Sequence, residues 1–101
     1  MTEIYSQIDK LLLRSSRILI ISHQRPDEDT LGAALSFYLY LKSLGKEVAI
    51  YSADQPPAYL SFMPALDEVS SDLQLFNEYW DLYFFVDCGS IANTRLDEKL
   101  F

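Results

Sequence analysis

Glycine is scarce in this chain: Gly32, Gly45 and Gly89 are the only three in 101 residues. That scarcity excludes the GxGxxG dinucleotide fingerprint and the GxxxxGK[ST] phosphate loop, because both need closely spaced glycines to bring backbone N–H groups against a phosphate. Cysteine is scarcer still. Cys88 stands alone, which rules out an internal disulfide and fits a reducing, intracellular setting. Basic residues are outnumbered, 8 against 15 acidic, for a formal charge of −7. A chain of that sign repels a polyanion and does not grip long nucleic acid through a basic face. A small phosphorylated substrate accompanied by metal ions remains compatible, since bound cations reverse the local field. No apolar run approaches the roughly eighteen residues of a membrane span. The opening MTEIYSQIDK has no basic stretch leading into an apolar one, so a cytoplasmic location is expected.

What is present is half hydrophobic, 50% of residues, enough for the core of one small domain. Ile4, Ile8, Leu11 and Leu12 recur at helical spacing over residues 3 to 14. RILIIS, residues 17 to 22, is short, apolar and rich in isoleucine, and reads as a buried strand. The polar stretch His23 to Asp29 contains Pro26 and must be a loop. Asp29 or Thr30 is positioned to cap the helix that follows, whose stripe runs through Leu31, Ala34, Leu35, Tyr38, Leu39, Leu41 and Leu44 until Gly45 stops it. EVAIYS, residues 47 to 52, makes a second strand and a right-handed βαβ unit. Residues 58 to 76 hold one or two short helices. LYFFVD, residues 82 to 87, is a third strand, and residues 91 to 100 suit a short helix. The expected fold class is α/β, a parallel sheet with flanking helices.

In such sheets ligands sit beyond the carboxyl ends of the strands. His23, Asp27 and Asp29 leave the end of strand one and Asp87 closes strand three, so the fold can bring all four to one edge. An imidazole with several carboxylates suits manganese, iron or zinc. Two such ions about 4 Å apart would polarise a phosphoryl oxygen, generate hydroxide and steady the leaving oxygen. Each residue also has a plainer reading. Asp29 alone suits a helix cap, Asp27 a solvated turn residue after Pro26, and His23 an exposed hydrogen-bonding residue. Asp87, ending an apolar run, is expected near a buried sheet edge, where an unsatisfied carboxylate is costly. Cys88 fits a small buried hydrophobe better than a nucleophile.

The string HQRPDEDTLG, residues 23 to 32, together with VDCGS, residues 86 to 90, resembles the first two motifs of the DHH phosphoesterase family. The resemblance is to the branch of nanoRNases and 3′-phosphoadenosine-5′-phosphate phosphatases, with RecJ-like exonucleases further off. It implies a truncated, Rossmann-like DHH domain over residues 1 to 101. His23, Asp27 and Asp29 would be manganese ligands, and Asp87 the catalytic residue that binds, and bridges, two ions, with magnesium as the alternative metal. Glu28 departs from the pattern, standing where relatives carry glycine or another small residue. The family's third and fourth motifs and its C-terminal substrate-binding domain have no counterpart in these residues. The implied substrates are short oligoribonucleotides, nucleoside 3′,5′-bisphosphates or cyclic dinucleotides, held through that further domain. No long nucleic acid and no membrane are expected as partners of this chain, and a homodimer is left open. Turnover by these 101 residues alone is not expected. The rival readings are a non-catalytic α/β binding or interaction module that keeps part of the metal motif, and a receiver-like domain that accepts phosphate on Asp87.

Overall fold

The computed structural model describes residues 2 to 101. Helix α1 spans Thr2–Arg14, strand β1 Arg17–Ser22, helix α2 Glu28–Ser43 and strand β2 Glu47–Tyr51. A two-residue strand β3, Val69–Ser70, and strand β4, Leu82–Val86, complete the sheet. Single turns of 3-10 helix occupy Ala58–Leu60, Leu66–Glu68, Leu73–Asn77, Ile91–Thr94 and Glu98–Leu100. The order across the sheet is β3-β2-β1-β4, with every pairing parallel.

β1 is central because its residues are apolar on both faces. Ile18, Leu19, Ile20 and Ile21 have no exposed surface at all. Alternation along the strand sends Ile18 and Ile20 into a cluster with Leu31, Ala34, Leu35, Tyr38 and Leu41 of α2. Leu19 and Ile21 go to the opposite face, with Tyr51, Trp80 and Leu96. One face is therefore covered by a long helix, and the other by aromatic residues and short turns. Such two-sided burial is what a parallel sheet requires.

Several local devices fix the ends of these elements. Ser15 N–H returns to Leu11 O, and the Lys46 ammonium donates to Leu13 O and Ser15 O, placing a cation on the free carbonyls of α1. Gly45, at φ 81°, takes the left-handed position just past the cap of α2. At the amino end of the sheet Asp81 accepts from the N–H groups of Ser16 (2.7 Å) and Arg17 (2.9 Å), which ties the start of β4 to the start of β1. Arg17 lies over the Trp80 ring at 4.6 Å and pairs with Glu47 and Glu78.

Two expectations need correction. The N-cap of α2 is Asp27, which accepts from Thr30 N–H, and neither Asp29 nor Thr30 takes that place. Asp29 lies in the first turn, where its charge favours the positive end of the helix dipole. The region from 58 to 76 carries three single turns and the strand β3 as well as loops. β3 is too short for its alternation to be read from the sequence.

Candidate metal centre at the switch point of the sheet

From β1 the chain proceeds outward through β2 to β3, then returns to place β4 on the other side of β1. The strand order thus reverses between β1 and β4, and the crevice beyond their carboxyl ends is where open α/β sheets bind ligands. Ser22 and Val86 are register partners, so the residues that follow them emerge side by side. This is how His23 and Asp87 meet.

The structure brings His23, Asp27 and Asp87 together, each offering a ligand atom within 4.8 Å of the others. Asp29 falls outside that trio and is exposed on the first turn of α2. Glu28 also stands apart: its carboxylate accepts from the Tyr59 hydroxyl at 3.1 Å. Asp87 is not buried as its apolar lead-in suggested. Its side chain is 56% exposed, and its backbone is in the left-handed region at φ 53°, which aspartate tolerates better than most residues. That turn lifts the carboxylate off the end of β4 and into the crevice.

Thr30 organises the trio and was missed as a site residue. It is fully buried on α2, and its hydroxyl lies 2.7 Å from His23 Nε2, 3.0 Å from Asp27 Oδ1 and 2.8 Å from Asp87 Oδ2. The sequence signal was its place three residues after Asp27, the spacing at which an N-cap carboxylate meets a helical N–H.

The orientation of the His23 ring is set by its other nitrogen. Nδ1 contacts the Gln24 carbonyl, which can only accept, so Nδ1 carries a proton and Nε2 is the nitrogen turned toward Thr30 and the carboxylates. His23 Nε2, Asp27 Oδ1 and Asp87 Oδ2 thus converge on one hydroxyl, and a cation among them would be held by all three. The donor set of one imidazole and two carboxylates fits a divalent transition metal, and the Nδ1–H contact is the kind of outer support that fixes a ligating imidazole. Asp27 is poised to be anionic: the N–H and hydroxyl of Thr30 hold its carboxyl below the usual range against a smaller opposing effect of burial. Cys88 is different. Burial pushes its thiol up, and Sγ lies 3.2 Å from Val86 O, so it does not present a ready thiolate.

Comparison with known proteins agrees with this architecture. Over 57 residues the chain is 44% identical to the bifunctional oligoribonuclease and PAP phosphatase NrnA of Thermus thermophilus, covering 56% of this chain and 17% of that protein. Over 41 residues it is 46% identical to a probable manganese-dependent inorganic pyrophosphatase of Enterococcus faecalis, covering 41% of this chain and 13% of that protein. The crystal structure of an exopolyphosphatase-related protein from Bacteroides fragilis superposes with a TM-score of 0.86 at 24% identity, over 99% of this chain and 31% of that one, and shows the same fold. The chain thus spans less than a fifth of the length of either curated relative. The model of the DHH family, N-terminal domain, matches residues 17–100, from the first residue of β1 almost to the end, and the chain belongs to that family.

Proposed function

We propose that this chain contributes the first part of a manganese-dependent phosphoesterase site, acting on short oligoribonucleotides or nucleoside bisphosphates. The observation that carries the reading is the convergence of His23 Nε2, Asp27 Oδ1 and Asp87 Oδ2 around the Thr30 hydroxyl. His23, Asp27 and Asp87 would hold the metal, with Asp29 as a further candidate ligand on the adjoining turn. A divalent ion held there would supply positive charge to polarise a phosphoryl oxygen and to lower the pKa of a water molecule.

The chain's own residues have distinct tasks. The Nδ1–H of His23 on Gln24 O orients the ring so that Nε2 faces the crevice. Asp27 joins the site to α2 by capping that helix, so the helix start and the carboxylate position are fixed together. Asp87 reaches the same point from β4, sixty residues further along the chain than Asp27. The nucleotide substrate is supported by the resemblance to the Thermus oligoribonuclease and phosphatase, which extends over more of this chain than that to the pyrophosphatase.

The test is hydrolysis of a nitrophenyl phosphodiester, a short RNA, adenosine 3′,5′-bisphosphate and pyrophosphate by the product of the complete reading frame with manganese. Cleavage of the first three and its loss in Asp27→Ala and Asp87→Ala are expected. Full activity in either variant contradicts the ligand assignment, and cleavage of pyrophosphate alone contradicts the substrate class.

A further inference from the structure

Beside the metal trio lies a cleft of about 330 Å³ lined by His23, Gln24, Arg25 and Asn93. From it we infer that Arg25 is a substrate-binding residue, receiving the phosphate of a phosphomonoester or phosphodiester whose phosphorus faces the metal ligands. The inference rests on the phosphoesterase reading above and adds to it a residue and a subsite.

The backbone of Arg25 is held against its own preference. Its φ is 50°, in the left-handed region, although it precedes Pro26, and a residue before proline favours extended geometry. Two hydrogen bonds hold the segment there. Arg25 N–H donates to Asp54 Oδ2 at 2.7 Å, and Gln24 N–H donates to Asn93 O at 2.6 Å. The second bond joins the loop after β1 to the turn after β4, so the two walls of the cleft are fixed to each other. Strain of this kind persists where surrounding structure over-determines it, and it concentrates at ligand sites.

Charge distinguishes Arg25 from its neighbour. The Arg95 guanidinium is already paired with Asp54, whereas the exposed Arg25 guanidinium makes no ion pair among the described residues. A chain of net charge −7 with a carboxylate-rich site needs a local cation to accept a phosphate that the metal alone would only partly neutralise. Guanidinium offers a planar pair of N–H donors matched to two phosphate oxygens. The cleft is at the small end for ligand sites, large enough for a phosphate and part of its sugar.

The experiment measures binding of adenosine 5′-monophosphate to the product of the complete reading frame in saturating manganese, alongside manganese binding itself, for wild type, Arg25→Gln, Arg25→Lys and the remote Arg14→Gln. Loss of a charged hydrogen-bonding pair predicts that Arg25→Gln weakens nucleotide affinity by about tenfold or more. Arg25→Lys should fall between, and Arg14→Gln should match wild type. Manganese affinity should be the same in all four. Equal nucleotide affinity in wild type and Arg25→Gln, or no nucleotide binding by manganese-loaded wild type, overturns the role of Arg25 and leaves the metal site standing. Wild type that takes up no manganese overturns the metal reading and this inference with it.

Discussion

The Thr30 hydroxyl touches His23, Asp27 and Asp87 at once, and this decides how the site responds to substitution. Thr30→Val keeps the shape of the side chain and removes the hydroxyl. Because outer-sphere partners hold ligating groups in place, manganese affinity should fall about tenfold or more, while Thr30→Ser should retain it. Isothermal titration distinguishes the two outcomes, and unchanged affinity in the valine variant would show that the hydroxyl has no part in orienting the ligands. Asp27 has two tasks that can be separated. Asp27→Asn keeps an oxygen able to accept from Thr30 N–H and so preserves the cap, but it surrenders the anionic ligand. Its melting temperature should stay near wild type while manganese binding is lost; Asp27→Ala should lose both.

At the scale of elements, α2 and β1 supply most of the buried residues of the larger core cluster. Leu41 on α2 is completely buried and Leu39, two residues away, is 44% exposed. Leu41→Ala should cost about 2–5 kcal/mol by leaving a cavity, and Leu39→Ala no more than about 0.5 kcal/mol, both read from urea unfolding. The tie between β1 and β4 has a pH signature. The N–H groups of Arg17 and then Ser16 hold the Asp81 carboxyl below its ordinary value, so its contribution is present above the unfolded pKa of about 3.9. It is lost as pH falls through the lower folded value. Asp81→Asn should therefore melt below wild type at pH 7, with the gap closing in acid; a gap that persists at pH 2 would assign the effect to something other than the carboxylate charge. These elements were legible because their signals are long and regular. ILII, residues 18 to 21, and LYFFV, residues 82 to 86, are unbroken apolar runs, and the α2 stripe continues until a glycine able to end it. The cap was misplaced by two or three residues because Asp27, Asp29 and Thr30 are all competent caps. β3 escaped notice because two residues carry no period.

For the whole molecule, the strand order matters more than any one motif. His23 and Asp27 are local to one another, but Asp87 joins them only because β4 returns to the free side of β1, which pairing in a sheet decides and spacing in the sequence does not. The same return brings Asn93 to Gln24 and builds the cleft at Arg25. The radius of gyration is 13.3 Å, close to the roughly 13 Å of a compact domain of 100 residues. Among the described residues no helix is long and apolar enough to cross a membrane. The measurement that bears most directly on the central claim is manganese titration of wild type and Asp87→Asn, followed by the electron paramagnetic resonance signal of free ion. Uptake by wild type, and its loss in the variant with an unchanged circular dichroism spectrum, is the predicted result. Equal uptake by the two would contradict a metal centre built from His23, Asp27 and Asp87.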